Sequence, residues 1–287
     1  MDINLQKLEA LLAAVDTGSI TAAGEKLSYS QSGVSRMIGD LEREWGVNLL
    51  ERDKRGVRLT SDGERLIPRV RAVCQEYARL MTEVDDLHGL RTGKIRIGTF
   101  SSIATHYLPD ILRAFRRDYP GMEYELLLGD YTEIEDWIRT GRVDLGFLRL
   151  PTDPQFSTRK ILQDELMAIL PEGHSLAEKQ RVPASALCDE PFMLLEKGAR
   201  AEVSNVFERE GLKPNVVFTT WDDYAVLSMV ESGLGLSILP SLILQRIDYH
   251  VAIRGLEEPA YRDIGVAWKG GEDTPLAVER FLSYLHE

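Results

Sequence analysis

The sequence predicts a multidomain chain: an all-α N-terminal domain carrying a β-hairpin wing, one long linker helix, and a two-lobed α/β domain. Three observations predict it. Apolar residues recur at helical spacing in short runs within the first sixty positions, broken at Thr17-Gly18 and Ser28-Tyr29. From Leu66 to Leu87 they step by four and three without interruption. Beyond Gly93, strand-like and helix-like segments alternate to the end of the chain. A chain of 287 residues has room for two domains with their own cores.

Leu5, Leu8, Leu12 and Val15 mark one face of a first helix, which Thr17-Gly18 stops. Ser19 caps a second, about Ile20 to Leu27, whose Ala22, Ala23 and Gly24 allow close packing. Ser30 caps a third that runs to about Trp45. On that helix Val34, Ile38, Leu41 and Trp45 point into a small core, while Ser32, Arg36, Gly39 and Arg43 point away. Gln31 and Ser35 flank the outer face near its start. A helix entering the major groove needs donors and acceptors near its N-terminal end, and Gln, Arg and Ser supply them. A solvated face is the competing reading, and the elements around it decide. After Gly46, NLLERDKRGVRLT reads as a β-hairpin turning near Arg55-Gly56, with basic residues placed for phosphate or minor-groove contact. The order is that of a winged helix-turn-helix.

The stretch DTGSITAAGEKLSYSQSGVSRMIGDLEREWGVNLLERDKRGVRLTSDGE resembles the DNA-binding signature of the LysR-type transcriptional regulators, and the resemblance covers the entire chain. It implies that Gln31, Ser32, Ser35 and Arg36 contact DNA, with Arg52 and Arg55 supporting from the wing. Gly33 departs from the family's usual alanine. Glycine within a helix costs about 1 kcal/mol relative to alanine, so a slightly looser recognition helix is expected, with function intact.

Ser61 and Glu64 have capping-box spacing, with Thr60 as an alternative cap. Leu66, Val70, Val73, Tyr77, Leu80, Val84 and Leu87 then form a heptad seam. Packing on another domain of the same chain would cover it; so would the same helix of a second subunit, which the resemblance implies. A two-fold dimer reads two half-sites of a pseudo-palindromic operator. Cys74, beside the seam, is an apolar filler or a redox group.

KIRIGTF, MEYELLLGD and VDLGFLRL read as strands, and LPDILRAFRRDYP and YTEIEDWIRTG as the helices between them. In such sheets ligands bind beyond the carboxyl ends of the strands, here Thr99 to Ser102, Gly129-Asp130 and Leu148 to Leu150. A second lobe begins near Ile161, with strands DELMAILPEGH, PFMLLEKG and NVVFTT, a helix over Ala201 to Glu210, and another that Asp222 caps. RDIGVAWKG returns the chain to the first lobe and TPLAVERFLSYL closes it. Two crossings make a hinge with a cleft. The expected domains are residues 1–60, the linker 61–90, and 91–287, divided into lobe I (about 91–160 and 266–287) and lobe II (about 161–265).

This half resembles the family's effector domain, which shares the architecture of periplasmic binding proteins. The resemblance implies a cleft lined by Ser101, Ser102, Arg149 and the Thr220-Trp221-Asp222 turn, with Lys197 a further candidate. The serines would offer hydroxyls and N–H groups to an anion, and Arg149 would hold a carboxylate. Helix capping by the serines and Asp222, and a surface ion pair at Arg149, are the plainer readings. The resemblance also implies a tetramer built from two dimers, and RNA polymerase is a further candidate partner.

The balance is acidic, 34 Lys+Arg against 46 Asp+Glu, which argues against a surface that clings to nucleic acid throughout. Two cysteines, Cys74 and Cys188, build neither a disulfide framework nor a metal site. The five histidines lack metal-ligand spacing, and no nucleophile elbow, P-loop or dinucleotide fingerprint occurs. No catalysis, cofactor or metal is expected. Without a secretory signal or an apolar run of about 20 residues, a cytoplasmic protein off the membrane is expected. The alternative to a regulator is a cytoplasmic solute-binding or sensor protein without specific DNA targets.

Overall fold

A computed structural model describes residues 4–53, 56–87, 93–195, 202–270 and 274–285. The chain forms two compact units, Met1–Val84 and Asp85–Glu287.

In the first unit α1 (Leu5–Thr17), α2 (Ile20–Leu27) and α3 (Gln31–Trp45) are each opened by a side chain that accepts a backbone N–H: Asn4, Ser19 and Ser30. Gly18, Ser28 and Gly46 end them in the left-handed conformation. Ala10, Ala14, Ala23, Val34 and Ile38 are wholly buried where the helices meet. Burying an aliphatic side chain such as Ile38 contributes about 1.5–3 kcal/mol. The wing follows as β1 (Leu50–Asp53) antiparallel to β2 (Gly56–Leu59), in the register Leu50↔Leu59. Glu42 fixes its start: Oε1 accepts from the N–H groups of Leu49 (2.7 Å) and Leu50 (3.1 Å). At its other end Gly56, at φ +124°, lies so close to the Gly18 carbonyl that a Cβ would stand 2.5 Å from it, and the Val57 N–H donates to that carbonyl.

α4 (Ser61–Leu87) is 27 residues long and spans about 40 Å at helical rise. Thr60 caps it, its hydroxyl accepting from Gly63 N–H at 2.9 Å. The expected Ser61 cap gives way because Thr60 also donates to Asn48 O, which seats it. An Arg71–Asp16 ion pair ties α4 to α1. The heptad seam is split. Leu66 and Val70 pack into the N-terminal core, with Cys74 beside them. Val73 (43%), Tyr77 (46%), Leu80 (54%) and Val84 (36%) lie open to solvent, as does Met81.

The second unit is one curled sheet. Its elements are β3 (Gly93–Thr99), α5 (Ser101–His106), α6 (Leu108–Asp118), β4 (Met122–Leu128), α7 (Tyr131–Thr140), β5 (Leu145–Arg149), β6 (Phe156–Pro171), β7 (Arg181–Val182), α8 (Ala184–Leu187), β8 (Pro191–Leu195), α9 (Glu202–Arg209), β9 (Asn215–Thr220), α10 (Asp223–Glu231), β10 (Leu236–Pro240), β11 (Val251–Lys269) and α11 (Leu276–Leu282). The strand order is β4-β3-β5-β11-β6-β10-β8-β9, with β7 on β11. Two parallel triplets, β4-β3-β5 and β10-β8-β9, flank the antiparallel pair β11–β6. The inner strands of each triplet are covered on both faces, as parallel strands require, whereas the edge strand β9 leaves Val216, Val217 and Phe218 exposed. Ile97, Phe115, Phe147 and Phe281 lie on one face of the first triplet, and Ile134 and Ile138 on the other. Phe192 and Phe207 cover one face of the second, and Val226 and Leu239 the other.

β6 and β11, 16 and 19 residues long, are the two crossings between lobes. Both start earlier than expected. The reason for β11 is that Gly255 and Pro259 interrupt its pattern, yet they flank a bulge at which the register jumps from Gly255↔Met167 to Ala260↔Leu166. A second shift, between Ile264 and Gly265, leaves Ile161 unpaired.

Candidate functional site

The first candidate surface is the outer face of α3. Val34 and Ile38 are sealed in the core, which turns Gln31, Ser32 and Arg36 outward, all exposed. Ser35 is half-buried at the edge of this face. Ser32 Oγ lies 3.1 Å from the capping Ser30 Oγ, so the cap and the polar face are one network. Arg43 pairs with Asp40 one turn back at 3.0 Å. Arg36 makes no ion pair among the described residues. α3 runs unbroken through Gly33. In the wing, the backbone of Arg52 pairs with Val57; its side chain, and Arg55 altogether, lie outside the described residues, as does Lys197. Burial first, then Glu9, pushes the Cys74 thiol up to about 11. A thiol held protonated is a poor redox group.

The second candidate site lies between the lobes, at the carboxyl ends of β3 and β4. It is a cavity of about 120 Å³ lined by Ser101, Ser102, Tyr131, Glu202, Trp221 and Asp223, with Arg262 at its floor. Arg262, on β11, is 6% exposed. Its Nε and Nη2 donate to Asp164 Oδ2 at 3.0 and 2.8 Å. Nη2 also donates to Ser102 Oγ at 2.9 Å. Nη1 donates to Tyr131 OH at 3.0 Å and Glu202 Oε2 at 3.4 Å. The guanidinium sits 5.2 Å from the Phe100 ring centroid. Asp164 Oδ1 accepts from Ser241 Oγ and Leu242 N–H. Burial opposes the Arg262 cation, but Tyr131, Glu202 and Asp164 outweigh it and hold its pKa above the ordinary arginine value. Tyr131 OH donates to Glu202 Oε1 at 2.9 Å, joining the start of α7 in one lobe to the start of α9 in the other. Burial pushes the Tyr131 phenol up. It also pushes the Asp223 carboxyl up to about 6, against the pull of Arg262.

The cavity gathers some of the sequence-predicted residues and separates others. Ser101, Ser102 and Trp221 line it. The serines do not cap α5: Phe100 holds the cap position with no side-chain hydrogen bond. Asp222 takes its plainer role, accepting from Tyr224 and Ala225 N–H to cap α10, and Thr220 Oγ1 accepts from Asp222 N–H. Its neighbour Asp223 faces the cavity in its place. Arg149 lines a different cavity, of about 240 Å³, with Gln163, Asn205 and Arg209. Sequence reasoning missed Arg262, Asp164, Tyr131, Glu202 and Asp223. The available signal, for Asp164 and Arg262 alone, was a pair of charges ahead of an apolar run, in DELMAIL and RDIGVAW. Among the described residues no His, Cys, Asp and Glu group could hold a metal ion, and no helix is long and apolar enough to cross a membrane.

A family model described as "Bacterial regulatory helix-turn-helix protein, lysR family" matches residues 5–64, and one described as "LysR substrate binding domain" matches residues 88–287. The chain is 37% identical over 292 residues to the probable HTH-type transcriptional regulator LrrA of Synechococcus elongatus, covering 99% of this chain and 97% of that protein. Full-length CbnR solved with its target DNA has the same fold, at a TM-score of 0.72 and 23% identity, covering 99% of each chain. HinK of Pseudomonas aeruginosa, a LysR family transcriptional regulator, aligns at a TM-score of 0.60 and 29% identity, covering 99% of this chain and 98% of that one.

Proposed function

The chain belongs to the LysR family of bacterial helix-turn-helix transcriptional regulators, and from that premise we propose how its residues divide the work. It is a DNA-binding transcriptional regulator with a C-terminal domain for an effector. In our reading α3 enters the major groove, where Arg36 and Gln31 address base edges and Ser32 and Ser35 address bases or phosphates. Arg52 and Arg55 of the wing take phosphates. The open half of the α4 seam pairs with its copy in a second subunit, giving a dimer that reads a pseudo-palindromic operator, and two dimers form a tetramer. The protein works in the cytoplasm, with RNA polymerase as a further partner, and it does no catalysis.

The effector enters the inter-lobe cavity, touching Ser101, Trp221 and Asp223. Ser102 acts through its bond to Arg262. Because Tyr131 and Glu202 join the lobes across the cavity, a ligand that bonds with one lobe arrangement better than the other shifts the hinge.

The observation that carries the DNA-binding reading is the division of α3, sealed at Val34, Ile38 and Leu41 and open at Gln31, Ser32 and Arg36. The test is mobility shift of DNA upstream of the protein's own gene by the full chain and by Arg36→Ala. The reading expects retention by the wild type and weaker retention by the variant. No retention by the wild type would favour a sensor without specific DNA targets.

A further inference from the structure

Among the described residues one arginine lines the cavity. It is already engaged, and that sets the chemistry of what can enter. An arginine side chain has five N–H donors. Arg262 uses all five, on Asp164 twice, Ser102, Tyr131 and Glu202. An anionic effector seeking that cation must break one of these bonds in a buried site, where a charge or acceptor left unpaired is most costly. Acceptors are what the cavity has to spare. Among the described residues one guanidinium faces the carboxylates of Asp164, Glu202 and Asp223, so negative charge is in excess among them when all are ionised. The Asp223 carboxylate accepts from its own backbone N–H. Trp221, 60% exposed, stands on the same wall as an apolar face.

We infer that the effector is a small organic cation, a primary ammonium or guanidinium on a short apolar body, with N–H groups bonded to Asp223 and its body against Trp221. The inference rests on reading this cavity as the effector site. A cation supplies a counter-charge to Asp223, whose carboxyl burial pushes up to about 6. Trp221 adds a cation–π surface. The volume, about 120 Å³, suits a small group such as butylammonium.

The test is calorimetric titration of the full-length protein with butylammonium, butyrate and butanol, three probes of similar shape and different charge. Above the Asp223 titration, butylammonium should bind and the other two should not. Its affinity should fall as pH drops through about 6; among the described residues the charged groups facing Asp223 are Arg262 on β11, Glu202 on α9 and Asp222 at the cap of its own helix. Asp223→Asn should weaken binding roughly tenfold to a hundredfold, the loss of one charge-assisted hydrogen bond. Asp223→Glu, which keeps the charge, should bind much as the wild type does, separating charge from a folding defect. Ser101→Trp, which fills the cavity, should abolish binding. Butyrate binding that Ser101→Trp abolishes would overturn the cation while keeping the cavity as the site. Butylammonium binding unchanged by both Asp223→Asn and Ser101→Trp would place it elsewhere and overturn the inference. No binding of any probe would overturn the inference and the reading beneath it.

Discussion

Arg262 and Asp164 stand directly opposite each other in the β11–β6 ladder, and their side chains form a buried ion pair at 2.8 Å. Cross-strand neighbours of opposite charge stabilise a sheet modestly at a surface. Here both partners are desolvated, so the larger effect is the cost of breaking the pair. The pair lies on both crossings at once, next to the register shifts that let them bend. Hinge and cavity floor are therefore one structure.

Arg262→Met removes the cation and leaves Asp164 and Glu202 buried together. We expect a loss of about 3–5 kcal/mol in urea denaturation. Pairing it with Asp164→Leu should recover part of that loss, and the double-mutant cycle isolates the coupling. A single-variant loss below about 1 kcal/mol would contradict a desolvated pair.

Asp223 gives a pH signature with a definite sign. Its folded value, about 6, lies above the ordinary 3.8. The folded state therefore holds its proton more tightly than the unfolded chain does. The resulting stabilisation is complete below 3.8 and is lost as pH rises through about 6. By linkage the effect is at most about 3 kcal/mol, and less for a side chain with some solvent access. Asp223→Asn should raise stability at pH 8 by about 1–2 kcal/mol and flatten stability against pH between those values. An unchanged pH profile would show that the carboxylate is solvated. The same substitution is expected to weaken effector binding, so stability and response move in opposite directions.

How much of this was legible in the sequence depends on the range of the signal. The α3 stripe of Val34, Ile38 and Leu41, its Ser30 cap and its end at Trp45 are local, and they appear as the residues predict. The hub was invisible because Arg262 and Asp164 are 98 residues apart and meet only through strand register. The resemblance implies Asp222 in the cleft and helix capping is its plainer role; the cavity takes Asp223. An extended turn presents alternate residues to one side, so Trp221 and Asp223 face the cavity while Asp222 turns to the helix N–H groups. Arg149 sits at the expected strand end, but on the side of the second cavity.

Arg36→Ala should weaken specific DNA binding by about 1–3 kcal/mol if Arg36 reads a base. Removing Arg52 or Arg55 should lower affinity across sequences and reduce the salt slope by about 0.9 for each phosphate left unneutralised. Footprinting and salt titrations separate the two. A wing variant with an unaltered slope would exclude that residue from phosphate binding.

The effector response should be separable from DNA binding by steric block, and the structure selects the position. Ser102 is 2% exposed and bonded to Arg262, so a bulky residue there would break the hub. Ser101 is only half-buried on the cavity wall. Ser101→Trp should leave operator affinity within about twofold, equivalent to under 0.5 kcal/mol, and abolish ligand-dependent changes in a reporter assay. An intact response would exclude the cavity as the effector site.

The split seam of α4 supplies a prediction with its own control. Leu80 is 54% exposed, whereas Val70, on the same stripe, is 4% exposed in the N-terminal core. If the open half is covered by a second subunit, each Leu80 buries about 1.5–3 kcal/mol of apolar side chain, and a two-fold interface counts it twice. Leu80→Lys should therefore weaken the dimer by about a hundredfold or more, giving a folded monomer in sedimentation equilibrium with reduced operator affinity. Val70→Lys should instead unfold the first unit, lowering helical circular dichroism before any question of assembly arises. A Leu80→Lys protein that remains dimeric would show that its subunits meet through some other surface.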